Sequence, residues 1–281
     1  MKISQFKLAH ISLAFICLMW VFPFLYWVHD YPITTFYQEL IAGILGLCAV
    51  PLLIASRIEV PRIVLLPIGM ILVVMAQFLI GRVDYVDQIA LFSMYMIFAA
   101  LLMMLGYRLK AALGLPAVVT ALAVALLIGA ELNSLAGILQ HYKWDTFLSA
   151  FVVGKVAQAI YGNMAQPNHF ADYLALGVTS LWLLYERFSM RISHVVILAA
   201  PILFCMILSG SRSALLYLAV ISAVIFHRVN ARKFVYVGLS LVAFAVAVHF
   251  VIHSGATIFD RIIIYSGESV RLHLWRNAFL I

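Results

Sequence analysis

Apolar runs of about 17–20 residues recur along the whole chain, and each is long enough at about 1.5 Å per residue to cross a hydrocarbon layer of roughly 30 Å. No soluble core calls for so many of them. The 66% hydrophobic content, the 10% charged content and the mean hydropathy of +1.10 agree with a lipid-embedded chain. The sequence therefore predicts an all-α, polytopic helix bundle with about nine transmembrane helices, at residues 11–28, 39–56, 63–80, 89–106, 114–132, 170–185, 194–209, 213–227 and 234–252. Lys2 and Lys7 precede the first run as they would in a secretory signal. The run is long, lacks a small-residue cleavage site and leads into further spans, so it reads as retained.

Loops rich in Lys and Arg stay in the cytoplasm, which orients the bundle. With the N-terminus inside, eleven of the eighteen Lys and Arg residues fall in inner segments. The other seven are Arg82, Lys143, Lys155, Arg212, Arg261, Arg271 and Arg276, which fall outside against the trend and call for another reason. The net charge of +7 follows mostly from this topology, and no basic stripe with interleaved aromatics suggests nucleic-acid binding. Cys17, Cys48 and Cys205 sit within predicted spans without paired spacing and read as small apolar residues.

Short connections such as "RIEVPR", "GRVDYVD" and "YRLKAAL" force neighbouring helices antiparallel. Two longer outer regions, about 133–170 and 253–281, mix polar and aromatic residues, and "HYKWDTFLSAFVVGKVAQAI" suits a helix lying along the membrane surface. The expected organisation is one transmembrane domain over 1–281, with N-terminal helices to 160 and a polar-motif half over 161–281.

Polar groups concentrate in "YGNMAQPNHFADYL" at 161–174. Pro167 suits the first turn of a helix, so a span should start near Gln166 to Asn168, with His169, Asp172 and Tyr173 on one face. "LSGSRSALL" at 208–216 repeats the pattern, with Ser209 or Ser211 capping a second helix start beside Arg212. Two helix N-termini and an arginine at the outer membrane edge would make an anion site. "SGESVRLHLWRN" at 266–277 adds Arg271 and Arg276. Each residue also has a plain structural reading, as a cap or a hydrogen-bonded histidine. Arg212, on the side that disfavours positive charge, is the one for which a functional partner is the better default. His169 with Asp172 supplies two metal-type ligands and no third. Ser211 or Ser213 with His249 or His253 lacks the carboxylate and oxyanion-hole signature of a serine protease. A transporter should show paired repeats and polar groups near mid-membrane instead.

"YGNMAQPNHFADYLALG", "SGSRSALL" and "SGESVRLHLWRNAF" together resemble the O-antigen ligase and polymerase superfamily, and within it the PglL-type bacterial protein O-oligosaccharyltransferases. The resemblance implies a multi-pass protein of the bacterial inner membrane with a periplasmic active face. Its implied reaction moves a glycan from undecaprenyl diphosphate to a Ser or Thr hydroxyl of a periplasmic protein such as pilin. The alternatives are a lipopolysaccharide O-antigen ligase acting on the lipid A core, an O-antigen polymerase, or, in another class, a lipid-linked glycan flippase. The matched positions imply that Arg212 and Arg271 neutralise the departing diphosphate and that Gln166 serves the reaction with them. Asn168, His169, Asp172, Ser211 and Arg276 would bind substrate. No cofactor and no metal are expected, because arginines supply the positive charge. The histidine expected to activate the acceptor stands in an "HN"-like motif downstream of the arginine element, and the 281 residues end before one, so that role is not given to His273. The chain is thus expected to be the N-terminal portion of a longer product or a shortened relative.

Overall fold

The computed structural model describes residues 3–30, 33–55, 59–155 and 159–228, and within them every regular element is helical. Ten α-helices follow in order: α1 (Ile3–Met19), α2 (Phe22–Leu25), α3 (Phe36–Ala49), α4 (Pro51–Ile54), α5 (Leu65–Leu79), α6 (Val86–Leu113), α7 (Leu115–Tyr142), α8 (Pro167–Phe188), α9 (Ile192–Leu208) and α10 (Arg212–Arg228). Short 3-10 turns occupy Arg62–Val64 and Phe147–Phe151.

Five segments are long and apolar enough to cross a membrane: Gln5–Leu25, Phe36–Ile54, Arg62–Leu79, Val86–Leu113 and Leu115–Tyr142. The expected count of nine is not reached among the described residues. Ile192–Leu208 and Arg212–Val224 are apolar but shorter. The helix at the expected sixth span, α8, carries Asn168, His169, Asp172, Glu186 and Arg187 and is less apolar than its neighbours. The ninth expected span, 234–252, lies outside the described residues.

The chain divides into two compact units. Unit 1 comprises residues 1–23 and 36–125. Here α1 packs on α3, α4 and α6, and α5 packs on α6. Ala9, Leu13, Ile16, Leu52, Leu105 and Leu109 are buried at the centre. Gly46 lets the Phe98 ring lie directly on the α3 backbone. Leu65, Leu66, Leu72, Val73 and Leu79 on α5 stay exposed. Such surface suits lipid tails, which solvate aliphatic side chains as well as a core does, so packing here rests on close contact.

Helix ends in unit 1 follow local chemistry. Pro51 has no N–H to continue α3, and the chain restarts there as α4. Between α6 and α7 the expected connection over 107–113 does not exist, because α6 remains helical to Leu113 with Leu105 and Leu109 buried. One residue makes the break: Gly114 takes φ 82°, in the region that favours glycine, and its N–H bonds the Lys110 carbonyl at 2.9 Å. On the same stretch Arg108 pairs with Glu59 at 3.3 Å.

Unit 2 comprises residues 24–35 and 126–281, of which 229–281 fall outside the described set. In it α8 packs on both α9 and α10. Phe170 is fully buried against α7 at Gly137, and Gly177 takes the close approach of Ala130. The surface helix expected over 141–160 is absent from the described part of that stretch. Instead Thr146 and Ser149 form a capping box around the 3-10 turn, with Ser149 Oγ also donating to the Trp144 carbonyl at 2.9 Å.

Candidate anion site at two helix starts

The segment before α8 is built on side chains that replace backbone partners. Gln140, near the end of α7, donates through Nε2 to the carbonyls of Val153 at 2.8 Å and Gly162 at 3.3 Å. Its Oε1 accepts from the N–H groups of Tyr161 at 2.8 Å and Gly162 at 3.2 Å. Asn163 does the same work on the other side. Its Nδ2 donates to Leu25 and Phe151 carbonyls, both at 2.8 Å, and its Oδ1 accepts from Val153 N–H at 3.0 Å. Such buried irregular backbone would otherwise leave donors and acceptors unpaired, at about 1–3 kcal/mol each. His29 sits between the carbonyls of Thr34, 2.7 Å from Nδ1, and Asn163, 2.9 Å from Nε2.

The turn is tight. Gly162 takes φ 53°, and a side chain there would run into Phe170 and the Asn133 carbonyl. Ala165 takes φ 56°, which costs a residue with a Cβ about 1 kcal/mol and turns the chain sharply into the helix. Gln166 then adopts extended angles at the N-cap and Pro167 opens the helix, as the sequence predicts. The Gln166 side chain makes no cap bond and is exposed.

α8 buries Phe170, Tyr173, Leu174, Gly177 and Leu181 and turns His169 and Asp172 the other way. Tyr173 therefore does not join them as expected; it is buried against Gly129 and the Phe24 ring, whose centroid is 4.6 Å away. His169 Nδ1 and Asp172 Oδ2 are 3.9 Å apart. Asp172 also meets the Tyr217 hydroxyl of α10, while its Oδ1 is buried with no hydrogen-bond partner.

The second helix start comes to the same place. α9 ends where Ser209 Oγ donates to the Met206 carbonyl at 2.6 Å and accepts the Ser211 N–H at 3.2 Å. Ser211 Oγ then donates to Asn168 Oδ1 at 2.8 Å. A hydroxyl has one proton, so the 2.8 Å contact between Ser211 and Ser213 is a donation from Ser213 to Ser211. Two helices that run in the same direction thus begin side by side, joined in sequence by α9, which returns against α8. Arg212 is the first residue of α10 and is exposed, with no carboxylate among the described residues within ion-pairing reach.

Of the sequence-predicted residues, Asn168, His169 and Asp172 lie in the first turns of α8 and Arg212 opens α10, with Gln166 and Ser211 immediately before the two helices. Arg271 and Arg276 lie outside the described residues. Among the described residues no three His, Cys, Asp or Glu side chains gather as metal ligands, and His169 with Asp172 remains a pair. Sequence reading passed over Gln140 and His29 as braces. It also passed over Glu131, Asn133 and Ser134 on α7, each with a buried oxygen lacking a hydrogen-bond partner. Their signal was present in "GAELNS", a polar island within an apolar span.

Residues 160–185, the turn and most of α8, match the family described as PglL_A, protein glycosylation ligase. The chain is also 28% identical over 213 residues to the general O-oligosaccharyltransferase of Acinetobacter baylyi, covering 75% of this chain and 37% of that protein. The chain thus spans little more than a third of the length of the relative it matches. No solved structure matches. These two findings bear out the PglL-type resemblance carried by the sequence motifs.

Proposed function

We propose that this chain, a relative of the PglL-type O-oligosaccharyltransferases, forms the donor-binding membrane part of a glycosyl-transferring enzyme that modifies proteins. The donor in this reading is a glycan on undecaprenyl diphosphate, and the acceptor is a Ser or Thr hydroxyl of a periplasmic protein such as pilin. The observation that carries it is the 2.8 Å bond between Ser211 and Asn168, which sets two helix N-termini beside the exposed Arg212. Unsatisfied N–H groups and the positive ends of two helices favour an anion there, and a guanidinium can bind it through two parallel N–H bonds.

In the reaction, the bond between the anomeric carbon and the phosphate oxygen breaks, and the acceptor oxygen forms a new bond to that carbon. The hydroxyl proton goes to a base, and undecaprenyl diphosphate departs with the bonding electrons. Arg212 and the helix starts stabilise the charge that develops on the leaving diphosphate, a contribution worth about 3–4 kcal/mol for a donor of this kind. Arg271 and Arg276 add to it in this reading. Gln166 reaches the same anion from the cap of α8. Asn168 offers its amide N–H groups to the donor, held in place by Ser211. His169 and Asp172 accept from sugar or acceptor hydroxyls. The setting is the inner membrane, with the N-terminus cytoplasmic and these helix starts periplasmic. The match of residues 160–185 to a protein glycosylation ligase family favours a protein acceptor over lipid A core or a growing polymer.

The test expresses the complete gene with a lipid-linked glycan and a pilin-like acceptor and weighs the acceptor by mass spectrometry. Arg212→Ala and Arg271→Ala are each expected to abolish the added mass while the protein still inserts. Wild-type glycosylation by Arg212→Ala would refute the phosphate-binding role. Movement of the lipid-linked glycan across vesicles without bond formation would favour a flippase.

A further inference from the structure

Two of the outward lysines, Lys143 and Lys155, have no part in the donor site, and unit 2 brings them to one end. α7 stops at Tyr142 because Lys143 takes φ 53° and the Trp144 N–H folds back to the Leu139 carbonyl at 3.3 Å, a helix ending in which glycine is the usual residue. Lys155 is delivered to the same end by bonds to the two residues that precede it. Gln140 holds the Val153 carbonyl at 2.8 Å, and the Tyr161 hydroxyl holds the Gly154 carbonyl at 2.7 Å. The lysines lie within range for their charges to interact, with His141 on the last turn of α7 also in range of Lys155. Loss of water, and then the Lys143 charge, push the Lys155 ammonium below its ordinary value. Asp145, two residues from Lys143, forms no ion pair with either.

Cations beside a helix C-terminus relieve its partial negative charge, and that accounts for Lys143. It does not account for a second, partly desolvated lysine carried in from twelve residues away. The surroundings specify what fits. Tyr142 and Trp144 stack with centroids 5.1 Å apart, and Trp144 and Phe147 are 54% and 85% exposed. Exposed aromatic rings at the end of a 28-residue apolar helix mark the level of lipid headgroups. The carbonyls at the end of α7 disfavour a multiply charged diphosphate more than a singly charged phosphodiester.

We propose that Lys143 and Lys155 form a binding site for the phosphate of an anionic phospholipid of the surrounding bilayer, with Trp144 and Phe147 against its glycerol and upper acyl chains. The site is independent of the donor site at Arg212.

The test uses the complete protein in phosphatidylcholine nanodiscs, titrated with phosphatidylglycerol and read by native mass spectrometry. Two lysines at a membrane surface contribute about thirtyfold in affinity, so Lys143→Gln/Lys155→Gln is expected to bind phosphatidylglycerol about thirtyfold more weakly, and Lys143→Arg/Lys155→Arg to retain it. Arg212→Ala is expected to bind it as the wild type does. The double Gln variant should melt close to wild type in phosphatidylcholine alone, because the helix-end charge lost at Lys143 is offset by the penalty relieved at Lys155, which separates lost binding from lost folding. A second measurement needs no variant: phosphatidylglycerol binding to the wild type should weaken as salt rises. Equal binding by wild type and the double Gln variant, salt-insensitive binding, loss of binding in Arg212→Ala, or displacement of phosphatidylglycerol by a polyprenyl diphosphate would each overturn the proposal.

Discussion

Unit 1 and unit 2 solve the problem of a lipid environment differently. In unit 1 the described connections are short and mostly satisfied by the backbone, as at Gly114 and Pro51, and the core between helices is apolar. In unit 2 the chain between α7 and α8 is long and irregular, and buried amide side chains supply the partners its backbone lacks. Polar groups inside a bundle are expensive, so a chain accumulates them where irregular backbone is itself needed. The difference teaches where function is built: the unit that spends polar residues on a non-helical turn is the one that presents Gln166, Asn168 and Arg212.

The contrast is testable by thermal unfolding of the purified protein. Gln140→Leu removes four hydrogen bonds and leaves the Tyr161 and Gly162 N–H groups without partners, so a loss of about 3–5 kcal/mol is expected. If that variant melts as wild type does, the turn is not braced by side chains. Leu109→Ala opens a cavity in the unit 1 core and should cost about 2–4 kcal/mol, with the donor-site chemistry intact in the surviving fraction. Ser211→Ala should cost only about 1 kcal/mol, because the helices keep their apolar contacts, yet it should lower glycan transfer by freeing Asn168. A large stability loss with unaltered turnover would make that hydrogen bond purely structural.

The smallest effect concerns pH. With the folded-state value of Lys155 lowered, the unfolded chain holds more protons between that value and the ordinary lysine range, so wild-type stability rises with pH across that interval. Below it the penalty is fully present, and Lys155→Gln should melt slightly higher than wild type near neutral pH. The gap should close as pH climbs into the lysine range. A gap independent of pH would assign the effect to packing.

Much of this was legible in the sequence. Long apolar runs announced helices and a membrane, Pro167 marked the start of α8 to within a residue, and the pairing of "QPNH" with "SGSRS" anticipated that two helix starts meet. Helix ends were less legible, because apolar periodicity continues through Leu113 and only the positive φ of Gly114 interrupts it. The 141–160 stretch misled for a related reason. Its amphipathic pattern fits a helix, but Thr146 and Ser149 bond their own backbone and hold a 3-10 turn instead. The braces at Gln140 and Asn163 were out of reach altogether. Their partners lie 10 to 138 positions away, and nothing local distinguishes a glutamine that holds a loop from one that binds a ligand.

The Ser213, Ser211 and Asn168 chain has a polarity of its own. Each hydroxyl proton points along it toward the amide oxygen, so the amide nitrogen at its far end is where hydrogens remain to be offered. A visiting molecule therefore meets donor hydrogens at this doorway from the Asn168 amide as well as from the exposed Arg212. Even with every guanidinium removed, that doorway would still prefer a guest rich in lone pairs.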